Sequence, residues 1–331
     1  RKRAFMVAGR ILGLLAAGFL LGTFAWPVDR PQPPRPPMTR MTAEPVPLDA
    51  GDPQRRRLGA LTFLEGWRLS SRDVRFGGVS AMHVERGIVT ALSDSGSIFR
   101  FPVPRRAGAM PLRIDRIPRG PGTGRRKSDR DAEAMAVAGG RAWVAYENWN
   151  AVWRYRLPGW RFEAAAAPAA LDGLPFARGP EAMARLADGR FLVFGEGPDA
   201  GDGTTPLLLF AGDPARAATR ALRLRYRPPP GYRPTDAALL PDGRLLVLNR
   251  SFGVFSWWRA VLTIGNPRRL RAGAVLEGRE IASFTGSVTV DNLEALSVTR
   301  ESGRTILWIA SDDNFNPLMQ RTLLFKFALG R

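Results

Sequence analysis

Five stretches of the chain repeat one plan, and that repetition limits the fold more than any other feature. "DAEAMAVAGGRAWVAYEN" from Asp131, "GPEAMARLADGRFLVFGEG" from Gly179, "PTDAALLPDGRLLVLNRS" from Pro234 and "NLEALSVTRESGRTILWIASDD" from Asn292 align by eye, and "GGVSAMHVERGIVTALSDSG" from Gly77 is a weaker fifth copy. Each carries a polar residue, a short apolar strand, a turn with Gly, a second apolar strand and a polar loop. In four copies the turn reads Gly-Arg (Gly140, Gly189, Gly243, Gly303), with Gly where a tight hairpin needs positive φ. The lead positions Ser80, Glu133, Glu181, Asp236 and Glu294 recur at intervals of 48 to 58 residues. All-strand units of that length predict propeller blades.

The expected fold is therefore all-β: a β-propeller of five four-stranded blades, or six if one unit has lost the pattern. "LGALTFLEGWRLS", Leu58–Ser70, supplies the strand that completes the last blade and closes the ring. The propeller domain is expected over residues 58–331. Before it, residues 27–57 hold nine prolines and read as an extended spacer. Residues 1–26 combine a basic start with the uncharged apolar run Ile11–Trp26, the pattern of a signal peptide or a signal-anchor helix. That predicts a periplasmic or secreted protein, or one tethered to the inner membrane through residues 5–26.

Charge and composition narrow the chemistry. The net charge is +19, and all but three of the 49 basic residues are Arg. The excess is spread along the chain instead of gathered on one helix or stripe, which argues against a nucleic-acid partner. There is no cysteine, so disulfides, thiolate metal sites and Cys nucleophiles are excluded. His83 is the single histidine, and it sits on the opposite strand face from Ser80. A Ser–His hydrolase built from these neighbours is not expected, nor is there a G-x-S-x-G elbow. In "YENWNAVWRY", Trp149 falls in a predicted turn, where it could serve as a ligand platform or pack on a neighbour.

The first strand of each blade lines a propeller's channel. The lead acids Glu133, Glu181, Asp236 and Glu294 would then ring one mouth. Asp94, Glu147, Glu196 and the pair Asp312/Asp313 end the second strands and should lie on the same face. Carboxylates this close repel one another and need cations. Two readings stand. A hard divalent cation such as Ca²⁺ prefers these oxygen ligands. Alternatively, each acid caps its own blade with arginines as counter-ions.

The motifs "FGGVSAM…ALSDSG", "DAEAMAV…AYEN", "GPEAM…FGEG" and "DNLEALSV…IASDDNFNP…QRTLLFKF" resemble the bacterial phytase-like family described by "esterase-like activity". The resemblance spans nearly all of residues 58–329. It implies an exported β-propeller that hydrolyses a small phosphate or carboxyl ester; a monomer is the expected state. The resemblance also implies Ca²⁺ held by acids at the channel mouth, here Glu133, Glu181, Glu294, Asp312 and Asp313, with Asp236 in the matching slot of the fourth unit. On this hypothesis Glu133 or Glu181 is the general base. The fourth unit departs from the pattern, because Asn249-Arg250 replaces the acid. Arg250 is thus a candidate ligand contact or a counter-ion. Asn314 is a second ligand candidate, in a loop whose asparagines also suit turn formation. A propeller that binds a ligand or partner without catalysis is the alternative.

Overall fold

The computed structural model describes residues 36–330 apart from 125, 173, 175–178, 197–200 and 255. The expected signal or anchor segment, residues 1–26, lies outside the described residues, as does the first part of the expected spacer. No helix among the described residues is long and apolar enough to cross a membrane.

The chain is all-β and propeller-like. Three strands come first: β1 (Met38–Pro45), β2 (Arg57–Leu58) and β3 (Leu61–Ser70). A first four-stranded antiparallel run follows in β4 (Val79–Glu85), β5 (Ile88–Ser93), β6 (Ser97–Pro102) and β7 (Gly108–Arg116). The second is β8 (Ala132–Ala138), β9 (Arg141–Tyr146), β10 (Ala151–Arg156) and β11 (Arg161–Ala166). The third is β12 (Pro180–Arg185), β13 (Phe191–Gly195), β14 (Thr205–Phe210) and β15 (Ala221–Arg227). The fourth is β16 (Arg233–Leu239), β17 (Leu245–Gly253), β18 (Trp257–Gly265) and β19 (Val275–Phe284). The last holds β20 (Asn292–Glu301), β21 (Arg304–Asp312) and β22 (Thr322–Leu329), with β3 pairing on β22 as its fourth strand. The N-terminal strand thus completes the C-terminal unit, Leu61 opposite Leu329 and Leu69 opposite Thr322.

First strands pack around a common hub. β4 meets β8, β8 meets β12, β12 meets β16, β16 meets β20, and β20 returns to β4. Apolar side chains fill the space between neighbouring units, as the alternation of the strands requires. Ala81, Leu92 and Ile98 face Met135 and Val144. Trp143 and Val152 face Val193 and Phe210, and Leu192 and Leu209 face Leu245 and Val247. Leu246 and Leu248 meet Leu293 and Ile309, and Trp308 closes the circuit onto Val89 and Phe99. The hairpin glycines adopt the expected backbone, with φ of 69° at Gly140, 90° at Gly189, 86° at Gly243 and 78° at Gly303.

The described part of the spacer expected over 27–57, residues 36–57, contains a paired strand. β1 is inserted between β3 and β7 and pairs antiparallel with both. Met41 and Ala43 of β1 are buried in the core between the last and first units. The reason is local: prolines crowd both sides of "MTRMTAE", but the stretch itself holds none, alternates in polarity and can donate to two ladders. Asp49 then bridges to Val288. The folded domain therefore begins before Leu58.

Candidate functional site

A β-bulge in every first strand builds the site. Pairing skips one residue at Ser80, Glu133, Glu181, Thr235 and Glu294, each between two otherwise regular partners. A bulge leaves its extra residue out of the ladder and re-aims the side chain. Five such side chains come from the five strands that surround the hub. Three are glutamates. The other two are hydroxyls that tie neighbouring units together: Ser80 Oγ donates to the Ala132 carbonyl (2.5 Å) and Thr235 Oγ1 to the Leu293 carbonyl (3.2 Å). Ala132 and Leu293 each precede the bulge of the following unit.

This corrects the sequence alignment at one position. The fourth lead residue is Thr235, not Asp236, and a slip of one residue carries a side chain to the other face. Asp236 is buried, and its two oxygens accept the backbone N–H groups of Leu296 (2.6 Å) and Ala237 (2.8 Å). It joins the fourth unit to the fifth and stands apart from the acidic groups.

A second tier comes from the residue just past each bulge's partner: Asp94, Glu147, Glu196, Arg250 and Asp312. With Asp131 these bring carboxylates close together. Oxygens of Asp131, Glu133 and Glu147 lie within 4.8 Å of one another, and so do those of Glu147, Glu181 and Glu196. Glu147 belongs to both groups. Cations border them: Lys127 Nζ pairs with Asp131 (2.8 Å) and Asp94 (3.0 Å), and Arg233 with Glu196 (3.3 Å).

Electrostatics follow from burial and crowding. Desolvation, reinforced by neighbouring carboxylates, holds Glu133 and Glu181 well above the usual carboxylate range. The same causes push Glu147 up to about 7. Asp94, Glu294 and Asp312 are raised too, desolvation leading in each, with Lys127 opposing it at Asp94 and Arg250 at Glu294.

A sequence model of the phytase-like family, described as "Esterase-like activity of phytase", matches residues 74–315. The chain belongs to that family. The match takes in all five bulges and both tiers of the hub. No curated protein matches the sequence. Among solved structures, the phytase-like chain is similar to a glutaminyl cyclase from Myxococcus xanthus at 11% identity, covering 81% of this chain and 95% of that one with a TM-score of 0.46. It is also similar to a chain of a mitotic checkpoint complex at 12% identity, covering 82% of this chain and 72% of that one with a TM-score of 0.35.

The remaining candidates divide by role. Arg250, in the slot where the other units carry acids, donates to Glu294 and to Asn292 Oδ1 (2.6 Å), and its guanidinium lies 5.3 Å from the Trp258 ring centroid. Asp312 sits beside Glu294 and Asp94 and accepts the Asn314 N–H at 2.7 Å. Asp313 is occupied on both oxygens, accepting from Gly78 N–H (3.1 Å), Phe315 N–H (3.0 Å) and Thr322 Oγ1 (3.0 Å). It latches the last unit to the first. Asn314 has a left-handed backbone, with φ of 48°, and its side chain lies against Gln320 within the same loop. Asp131, Lys127 and Thr235 join the site beyond the residues that the repeat pattern marks. The signal for Asp131 was its place two residues before Glu133, where "DAEAM" repeats the spacing of "NLEAL" from Asn292.

Proposed function

We propose that this phytase-like chain is a metal-assisted hydrolase of phosphate or carboxyl esters, working at the hub mouth of a five-bladed propeller. The carrying observation is the pair of acidic groups that share Glu147. Their donors are all carboxylate oxygens, the ligand class of hard divalent cations such as Ca²⁺, and burial together with crowding by neighbouring carboxylates raises their pKa values, a cost that a bound cation would offset. The donor set fits such an ion. Asp131, Glu133 and Glu147 would hold one such ion, or Glu147, Glu181 and Glu196.

When bound, a divalent cation polarises an ester oxygen and lowers the pKa of coordinated water. The chain's own residues supply the rest. Glu133 and Glu181 project from adjacent bulges as candidate proton acceptors, and Glu147 between them is pushed up to about 7 by burial and neighbouring carboxylates, close to the neutrality where a base works best. Lys127 and Arg233 hold the rims of the cluster. Arg250 fixes Glu294 and presents a guanidinium suited to an anionic ester group. The apolar N-terminal segment would deliver the domain to the cell envelope.

A second reading, a propeller that binds without catalysis, draws on the ion pairs themselves. Lys127, Arg233 and Arg250 already neutralise Asp94, Asp131, Glu196 and Glu294. Calorimetric Ca²⁺ titration of the metal-stripped chain separates the two, followed by turnover of 4-nitrophenyl phosphate and 4-nitrophenyl acetate with and without chelator. Saturable binding that Glu181→Gln weakens, with chelator-sensitive turnover, supports the hydrolase. Binding without turnover leaves the second reading, and no binding by the wild type overturns the metal site.

A further inference from the structure

The hub mouth is bordered on one side by apolar residues, several of them exposed. In three other units the second strand stops at Ser93, Tyr146 or Gly195, level with the acids. β17 instead runs three residues past Arg250, and β18 returns alongside it with Phe252 opposite Trp258 and Gly253 opposite Trp257. Phe252 lies 4.7 Å from Trp258 and 5.8 Å from Trp257, centroid to centroid. Val254 at the hairpin tip is 58% exposed. The neighbouring loop after Asp313 adds Leu318 at 95% exposure and Met319 at 40%. With the Gln320 amide turned to satisfy its neighbours, Trp258 Nε1 donates to its oxygen (2.7 Å), joining hairpin and loop.

This crest is continuous with the acids. Trp258 stacks on Arg250, which pairs with Glu294. Phe315 crowds the same glycine as Asp94: a Cβ on Gly78 would stand 2.3 Å from the Phe315 ring and 2.4 Å from Asp94 Oδ1. Trp257, Asn314 and Phe315 all hold positive φ, at 56°, 48° and 52°. Strained non-glycine backbone of this kind concentrates at ligand clamps.

We propose that the ligand of this mouth is an amphiphilic ester. Its anionic or polarised ester group meets Arg250 and the acidic hub, and its alkyl or aryl group lies against Phe252, Val254, Trp257, Phe315, Leu318 and Met319. The inference rests on the mouth being an ester site and names the class of ester. A bilayer surface fits less well, because Trp258 and Phe315 turn into the hub wall beside buried carboxylates instead of outward.

Equilibrium dialysis of the full chain in Ca²⁺ buffer against 1-naphthyl phosphate, glycerol 3-phosphate and 1-naphthol, each phosphate supplied as its non-hydrolysable phosphonate analogue, tests this, with Leu318→Ser and Val254→Ser alongside. Both substitutions fall on exposed side chains, so folding survives them. The expected result is 1-naphthyl phosphate bound about tenfold tighter than glycerol 3-phosphate, the scale of burying one large apolar side chain, with that advantage shrinking in both variants, and bound tighter than 1-naphthol through its phosphate. Equal affinity for the two phosphates overturns the amphiphile and leaves the ester site standing. Equal affinity for naphthol and naphthyl phosphate removes the anion and with it the ester reading. Flotation with phosphatidylglycerol vesicles that Leu318→Ser abolishes, without any preference in dialysis, assigns the crest to a membrane and overturns the proposal.

Discussion

The carboxylates of Glu147 and Glu181, from neighbouring units, stand within 4.8 Å of each other, and both are held above the normal carboxylate range. Such a pair binds protons in the fold that the unfolded chain releases. Each raised acid therefore weakens the fold as pH climbs from its unfolded value near 4.5 through its folded value, which for Glu147 is about 7. Glu163, pulled down to about 2 by Arg156 and Arg141, titrates below this window and does not oppose the trend. Metal-free protein should lose roughly 2 kcal/mol between pH 5 and 8, or about 5 °C in Tm. Scanning calorimetry across that range checks it. Glu147→Gln should flatten the profile, and an unchanged slope would show that these acids do not share protons.

Asp236 and Glu181 look alike in sequence and should behave oppositely. Asp236→Ala leaves the N–H groups of Leu296 and Ala237 without acceptors in a buried setting, at a cost of about 2–4 kcal/mol. Its Ca²⁺ affinity, read by calorimetry, should stay within about twofold of wild type, since the nearest hub ligands are untouched. Glu181→Gln relieves repulsion, so it should keep or raise stability while weakening Ca²⁺ at least about tenfold. A loss of Ca²⁺ affinity in Asp236→Ala equal to that in Glu181→Gln would return Asp236 to the site.

Those two residues also show how far the sequence could be read. Hairpins, their glycine turns and closure by residues 61–70 are local or period-bound features, so composition and spacing expose them. The bulge is different. It inserts a residue without changing the apolar alternation visible on either side, and "PTDAALL" aligns as well with Asp236 in the slot as with Thr235. Only the partner strand fixes the register. Lys127 was illegible for another reason: its two partners, Asp94 and Asp131, lie on different units, and nothing local signals that approach. β1 was hidden by its flanking prolines.

Arg250 gives the third prediction. Its guanidinium and the Glu294 carboxylate are mostly shielded, with 20% and 14% of each side chain exposed. Arg250→Met keeps the volume near Trp258 but strands Glu294 beside Asp312. Removing one member of a shielded pair costs about 2 kcal/mol here, less than for a fully buried pair. Adding Glu294→Gln should recover more than half of that loss. Urea denaturation of the wild type, both single variants and the double variant closes the cycle. Additive losses would mean that the two groups do not depend on each other.

The last prediction concerns where the domain starts. β1 fills the gap between β3 and β7, so a chain beginning at Leu58 leaves two strand edges unpaired. It also removes Met41 and Ala43 from the core shared by the last and first units. Lost packing alone costs about 3–5 kcal/mol, by analogy with emptying a large buried site. Two open edges add a tendency to associate edge to edge. The shortened chain should therefore melt well below one beginning at Pro36, and sedimentation should show concentration-dependent oligomers. Equal melting points for the two chains, both monomeric, would mean that β1 only covers a ring that β3 has already closed.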